Sequence, residues 1–271
     1  MAGQPDWVPP GVDVRRANVA RVYDYYMGGS HNFLADQDLA RAISAGEPNA
    51  RAFALANREF LGRAVRYLAA AGIGQFLDIG SGIPTEGNVH EVAQRASPAA
   101  RVAYVDVDPV AIAHSKALLA GNQNTAVIEA DLREPEKILT SDASRGVLDF
   151  TQPVGLLLVA VLHFIDDDED PWRIVATLRD ALPSGSYLAV GHATDEGNPA
   201  VAQAFEKVYN RSVSTQVHVR SRAEILRFFD GFDLLDPGLV YIPEWRLDSP
   251  ADPPGDSSKF WGELVGVARK P

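Results

Sequence analysis

From Gln75 onward the sequence repeats one pattern: a short, unbroken apolar run, a turn, and a stretch with helical composition. The apolar runs are Gln75–Ile79, Arg101–Val107, Ala126–Ala130, Val154–Val161 and Tyr187–Gly191. Between them lie the helical stretches Asn88–Ala96, Pro109–Ala120, Pro135–Thr140 and Pro171–Leu182. Strands that are apolar throughout must be covered on both faces, and connections of this length are crossovers. The pattern predicts an α/β fold with a parallel sheet and helices on both sides. Asp108-Pro109, Asp170-Pro171 and Asn198-Pro199 support the register, each placing a capping side chain before a proline whose missing N–H costs nothing at the first helical position.

The flanks break the alternation. Ala17–Met27 has helical composition and stops at Gly28-Gly29, and a second helix is predicted from Pro48 to Ala71, where Phe53, Ala56, Phe60, Ala64 and Leu68 recur at three- and four-residue steps. After the alternating block, Ser221 and Glu224 form a capping box for a helix reaching about Phe229. Two strand candidates come next, Phe232–Leu235 and Glu263–Arg269, separated by the turn-rich Ser249–Ser258. No crossover helix joins them, so they are expected to be antiparallel.

Function classes narrow by charge and composition. Lys and Arg total 25 against 36 Asp and Glu, a net charge of −11 with no basic cluster, which disfavours a nucleic-acid partner. Zero cysteines exclude disulfides, thiolate metal sites and a cysteine nucleophile, and fit a reducing cytoplasm. The longest apolar run, Val154–Ile165, falls short of the ~20 residues of a membrane helix, and the N-terminus lacks a signal-peptide pattern, so a soluble chain with no membrane partner is expected.

The turn after the first strand carries the most chemistry. In an open α/β sheet the ligand lies at the carboxyl ends of the strands, and the first β–α turn usually holds it. Here the turn reads Asp78-Ile79-Gly80-Ser81-Gly82, with Thr85 where a dinucleotide fingerprint requires its third glycine. Asp78 points to the ligand end, where a carboxylate would repel a pyrophosphate and attract an ammonium or a sulfonium. The turn therefore favours a cationic, adenosine-like cofactor over NAD.

The run Leu77-Asp78-Ile79-Gly80-Ser81-Gly82 resembles motif I of class I S-adenosylmethionine-dependent methyltransferases, with Pro84 replacing the last glycine. Taken with YDYYMGGSHNF, LDIGSGIPT, HEVAQ, YVDVDP and SYLAVGHAT, the chain from about Arg15 to Lys270 is similar to a bacterial group of S-adenosyl methyltransferases. The resemblance implies a Rossmann-like, seven-stranded, mostly parallel sheet with an antiparallel C-terminal strand pair, spanning 48–271, preceded by an N-terminal helical lid in 1–47. It implies S-adenosylmethionine as cofactor and methyl transfer to an oxygen or nitrogen of a small-molecule acceptor.

It also implies a set of contacts. Asp78, Gly80, Ser81, Gly82 and Val107 would hold the cofactor, Asp106 its ribose, and Asp131 with Leu132 the adenine amino group, while Ala160 lies beside the transfer centre. Asp106 could instead serve as a cap, although Asp108 already occupies that position, and Asp131 could be a turn residue. His163 and His192 follow strand ends and are candidates for a general base or for acceptor binding; the alternative is a histidine bonded to a loop carbonyl. Methyl transfer can also proceed by proximity and alignment without a base.

Other motifs are weaker. His90-Glu91 opens like a zinc-protease helix, but Gln94 stands where the second ligand is required. Asp166–Asp170 could hold Mg²⁺ or be a solvated loop with Asp170 as cap, and no metal is expected. There is no N/D-P-P-Y/F tetrapeptide of the amino-methylating DNA enzymes. A non-catalytic cofactor-binding protein remains a second reading, since a fold alone does not fix catalysis.

The N-terminal stretch holds three tyrosines ahead of Gly28-Gly29, which suggests a helix ending in a mobile turn that closes over the ligands. On this reading Tyr23, Gly28, His31 and Asn32 approach the cofactor's methionine end or the acceptor, and Arg21 meets the cofactor carboxylate. Alternatively Tyr23 and Tyr26 dock the helix while His31 and Asn32 cap the segment after them.

Overall fold

The alternating block folds into one sheet, which sets where a ligand can bind. The structure, a computed structural model, describes residues 8–84, 87–212, 215–246 and 262–271. Three helices come first: α1 (Val19–Met27), α2 (Leu34–Gly46) and α3 (Ala50–Ala70). The alternating elements are β1 (Gln75–Ile79), α4 (Val89–Ala96), β2 (Arg101–Asp106), α5 (Pro109–Leu118), β3 (Thr125–Glu129), α6 (Pro135–Thr140), α7 (Asp142–Val147) and β4 (Gly155–Val159). The rest comprises α8 (Pro171–Asp180), β5 (Tyr187–Ala193), α9 (Pro199–Ser212), α10 (Arg222–Leu226), β6 (Asp233–Leu234), β7 (Val240–Tyr241) and β8 (Glu263–Arg269).

The strand order is β3-β2-β1-β4-β5-β8-β6. The first five strands are mutually parallel, and β8 runs antiparallel to both β5 and β6. The expected antiparallel end is therefore present, with one addition: the two-residue β7 also pairs with β8 and makes an eighth strand. Because the chain leaves β1 toward β2 on one side and returns to β4 on the other, a crevice opens between the carboxyl ends of β1 and β4.

Period-two alternation assigns the strand residues to two cores. Leu77, Ile79, Val105, Leu156, Leu158 and Val190 face α8, packing on Ile174, Val175 and Leu178. Phe76, Val102, Leu157, Ala189 and Val265 face the other way, against Phe60, Ala64 and Leu68 of α3 and Val89 and Val92 of α4. The three- and four-residue spacing of α3 thus serves to cover the sheet.

A third cluster belongs to a helical cap. Val22 and Tyr26 of α1 and Leu39, Ala40 and Ile43 of α2 pack with Ala54 of α3, Tyr209 of α9 and Val217. The cap shares its core with elements far along the chain, so the 1–47 segment is not an independent packing unit. The helices α2 and α7 have no counterpart among the sequence expectations. In Leu34-Ala-Asp-Gln-Asp-Leu-Ala-Arg-Ala-Ile-Ser-Ala-Gly46 most apolar residues are alanines, which give a weak periodic signal, and burial of Leu39, Ala40 and Ile43 in the shared core stabilises the helix.

Candidate functional site

Two cavities meet above the β1/β4 crevice, with about 190 Å³ and 180 Å³ of space open to water-molecule centres. The first is lined by the carboxyl ends of β1, β2, β3 and β4, and the second by the cap, α3, α9 and the start of β8. Val19, Tyr23, Asn57, Ala160 and Phe164 line both and form the boundary between them.

The glycine turn shapes the first cavity. Gly80 has φ +77°, and a Cβ there would lie 2.5 Å from Cγ2 of Val161, so both conformation and space demand glycine. Gly82 has φ +67° and would meet nothing within 4 Å, leaving its backbone open toward the cavity. The N–H groups of Gly80 and Ser81 donate to the Val105 carbonyl (2.8 and 3.1 Å), which ties the turn to the end of β2.

Asp106 closes that junction. Its Oδ2 accepts from the Gly82 N–H (2.7 Å) and its Oδ1 from Val107 and Asp108 (2.8 and 2.9 Å). Asp108 caps α5 through Val110 and Ala111, as its position before Pro109 suggests, but Asp106 is not idle as a result. It holds three backbone donors and still lines the cavity with lone-pair capacity left.

Asp78 is buried at 5% exposure, and its carboxyl is pushed up to about 7, chiefly by burial, against the opposing Arg58 guanidinium and with Asp106 adding to the rise. A buried carboxylate held this high is stabilised by any cation that enters. Val107, 61% exposed, and the buried Leu132 both line this cavity and offer apolar surface to a flat ring. Asp131 lines the same end, its Oδ1 accepting from the Arg133 N–H at 2.9 Å.

The comparisons with known proteins agree with this geometry. The model of the family described as S-adenosyl methyltransferase matches residues 5–271. The chain belongs to that family. It is also similar to a crystal structure of a provisionally assigned methyltransferase from Thermobifida fusca, at 43% identity over 98% of this chain and 99% of that one, with a TM-score of 0.92. A DUF574 family protein from Streptomyces avermitilis matches at 40% identity over 96% of this chain and 99% of that one, TM-score 0.89. The plantazolicin methyltransferase BamL, solved with S-adenosylhomocysteine, shares the fold at 12% identity, TM-score 0.54, over 93% and 95% of the two chains. Among curated proteins none matches significantly.

The cofactor of this methyltransferase is S-adenosylmethionine, and the first cavity fits it. A buried acid with a raised pKa, an open glycine backbone and a second acid one β–α unit later meet the needs of an ammonium, a methionyl chain and a ribose. Of the residues expected to touch cofactor, Asp78, Gly80, Ser81, Gly82, Asp106, Val107, Asp131, Leu132, Ala160 and Tyr23 line this cavity. Ala160 stands in the left-handed region at φ 58°, where the chain leaves β4.

Other expected residues go elsewhere. Arg21 lines neither cavity: its Nη2 donates to the Arg16 carbonyl (3.0 Å) and its Nε lies 3.6 Å from Asp36 in a buried pair. Asp36 also accepts from the Asn18 and Phe33 N–H groups, so the pair ties α1 to the start of α2. Gly28 is the left-handed C-cap of α1. Asn32 donates to Asp24 (2.8 Å) and to the Gly29 carbonyl (3.0 Å), and His31 packs on His114 of α5 with ring centroids 3.6 Å apart. In the conspicuous Tyr-Asp-Tyr-Tyr-Met-Gly-Gly motif Asp24 thus binds the turn that follows α1 and the Tyr26 hydroxyl donates to the Ala40 carbonyl of α2 (3.0 Å), with Gly29 required because a Cβ would fall 2.0 Å from Asp24 Oδ1. Tyr23 differs: its hydroxyl donates to the Ala54 carbonyl (2.7 Å) and its ring stands on the boundary of both cavities.

The two histidines separate as well. His192 sits inside β5, which runs two residues past the expected end, and its ring turns away from the cavities onto Phe228. Since an arginine only donates, Arg220 Nη1 at 2.8 Å makes His192 Nε2 an acceptor, leaving Nδ1–H to donate to the Ala193 carbonyl (2.7 Å). With both nitrogens engaged and burial holding its pKa well below the ordinary value, His192 is structural and not a base. His163 does line the second cavity, but burial, Arg220 and His218 lower its pKa to about 3, and Nδ1 receives the Ala193 N–H at 3.4 Å. It is poorly suited to take up a proton near neutrality.

Arg220 is the residue the sequence conceals. Fully buried, it donates to the Leu162 and Ile165 carbonyls (3.1 and 2.7 Å) and to Asp167 (2.7 Å), clamping the loop after β4 that forms the boundary wall. In the acidic run, Asp167 is thereby paired, Asp166 and Asp170 cap helical turns, and Glu169 pairs with Arg133. Among the described residues no cluster suited to a metal occurs. Arg58 on α3, beside Asp78 in the first cavity, is likewise absent from the sequence expectations; a charged residue inside the apolar Phe53–Leu61 stretch is the available signal.

Proposed function

We propose that the chain transfers a methyl group to an oxygen or nitrogen atom of a small-molecule acceptor held in the second cavity. The observation that carries this reading is the boundary at Tyr23, Asn57, Ala160 and Phe164, which lets one ligand's end meet another's. The cofactor supplies an electrophilic methyl on a positively charged sulfur. Asp78 binds its ammonium, Arg58 its carboxylate and Asp106 its ribose, while Val107 and Leu132 flank its adenine. The boundary residues exclude water and fix the approach of the acceptor, and alignment of this kind supplies up to ~7–11 kcal/mol of the barrier reduction.

The 1–47 segment acts as a cap over both ligands through Tyr23 and Val19. The partner is a small molecule and not a nucleic acid, in keeping with the −11 charge. Among the described residues no helix is long and apolar enough to cross a membrane.

The test is a two-step assay: calorimetry with S-adenosylhomocysteine and with NAD, then transfer of labelled methyl to a panel of small amines, phenols and alcohols. Binding of S-adenosylhomocysteine and labelling of at least one panel member is expected. Binding of NAD alone would overturn the reading.

A further inference from the structure

Within the second cavity two oxygens lack donors. Asn57 Nδ2 donates to Glu263 Oε2 at 2.6 Å, which turns Asn57 Oδ1 and Glu263 Oε1 outward from that bond; among the described residues neither atom has a hydrogen-bond partner. Both lie 3.2 Å from the point where a Cβ on Gly191 would stand, so glycine there makes room for them and they sit close to one another. Glu263 is 6% exposed and Asn57 5%. Two neighbouring buried acceptors without a donor carry a desolvation cost that a ligand offering N–H or O–H groups removes.

The rest of the lining decides which ligand. A second carboxylate, Glu47, faces the same space, and none of the described lining residues is Lys or Arg. Tyr23, Tyr26, Phe53 and Phe164 add aromatic surface, whose ring faces attract cations. A hydroxyl has one hydrogen for two acceptors, and an ionised acid has none. An ammonium group has three hydrogens and the complementary charge.

We infer that Glu263 and Asn57 bind the amino group of a primary or secondary amine, and that this amine nitrogen is the methyl acceptor. The inference rests on the functional reading above and narrows its acceptor class. Bound as an ammonium, the amine gives one proton to Glu263 Oε1: an N–H bond breaks, an O–H bond forms, and the nitrogen keeps the electron pair it needs as a nucleophile. The proton later leaves Glu263 for solvent. Burial raises the Glu263 carboxyl to about 8 against the opposing hydrogen bond from Asn57, so the empty site holds a proton near neutrality; the entering ammonium stabilises the carboxylate and displaces that proton to solvent, which leaves Oε1 free to take up the amine's own. The other titratable groups facing the cavity are Tyr23 and Tyr26 from α1, Glu47 after α2, His163 after β4 and Tyr209 from α9. The three tyrosines, whose hydroxyls burial raises above their ordinary value, stay protonated and His163 stays neutral across this range, which leaves the exchange to Glu263.

The experiment measures binding of benzylamine, benzyl alcohol and benzoate to the full chain saturated with S-adenosylhomocysteine. Benzylamine is expected to bind at least about tenfold more tightly than the alcohol, and benzoate not detectably; a charge-assisted hydrogen bond is worth that factor. Glu263→Gln should lower benzylamine affinity by about tenfold or more while leaving S-adenosylhomocysteine affinity unchanged, because Glu263 does not line the first cavity. That unchanged affinity also reports a folded variant, and the ranking of the three probes on the wild-type chain needs no variant. Alcohol or benzoate binding as well as the amine, no detectable amine binding, or an unaffected Glu263→Gln overturns the inference alone. Failure of S-adenosylhomocysteine to bind the wild-type chain overturns the functional reading with it.

Discussion

The two cavities differ in how the chain makes them. The first is assembled from turns that each follow one strand, so its parts are short, contiguous and repeated at the same place in successive β–α units: Asp78 to Gly82, Asp106 to Asp108, Asp131 with Leu132. The second brings Tyr23, Asn57, His163 and Glu263 together from four regions with no local motif. A site for an invariant cofactor can be written in backbone and capping chemistry, whereas a site for a particular acceptor depends on side chains that only the tertiary fold makes neighbours.

Substitutions in the two regions should therefore fail differently. The largest effect is expected at Gly80, where alanine meets Val161 and an unfavourable φ together. Strain of this kind costs about 1–3 kcal/mol before the clash, so Gly80→Ala should weaken S-adenosylhomocysteine binding by a hundredfold or more, as read by calorimetry. Asp106→Ala comes next. It removes the acceptor for three backbone N–H groups as well as the proposed ribose contact, and hydrogen bonds to a charged group are worth roughly 1.5–3 kcal/mol each. Both a loss of affinity and a lower melting temperature are expected, and affinity loss without destabilisation would show that the turn holds itself.

Glu263→Gln tests the second region through stability. The folded pKa of Glu263, about 8, lies above its ordinary 4.5, so the folded state holds a proton that the unfolded state releases between those values. The contribution is fully present below pH 4.5 and is lost as pH rises through about 8. Glutamine cannot ionise, so without ligand Glu263→Gln should match the wild-type chain near pH 5 and melt at a higher temperature near pH 9, by on the order of 2 kcal/mol. A pH-independent difference would place Glu263 in contact with solvent or with a permanent cation. The smallest effect is expected at Tyr23→Phe, which removes one hydrogen bond to Ala54 and keeps the ring on the boundary, at a cost of about 1 kcal/mol in thermal unfolding.

The same contrast explains what could be read from the sequence. The β–α alternation and the caps before Pro109 and Pro171 are local signals, and each element they indicate is present within a few residues. The glycine turn and its flanking acids were legible because the chemistry of one loop is contained in one stretch. His192 misled because its strand ends at Ala193, two residues beyond the expected Gly191, which changes a rim position into a buried one. The N-terminal motif misled for a different reason. Its polar residues satisfy one another, as Asp24 does with His31 and Asn32, and a self-bonded turn looks in sequence like one that awaits a ligand. Arg220 and Glu263 gave no signal, since an arginine before a helix and a glutamate opening an apolar strand are ordinary until their partners are known. The turn-rich Ser249–Ser258 lies outside the described residues.

The central claim is that the cofactor's reacting end faces the second cavity across the boundary at Tyr23, Asn57 and Ala160. A crystal structure of the complex with S-adenosylhomocysteine tests it most directly. The account predicts the adenosine between Val107 and Leu132, the ribose on Asp106, and the sulfur beside Ala160 within reach of the space in front of Glu263. A sulfur directed away from Ala160, or a ligand whose adenosine occupies the second cavity, would contradict it.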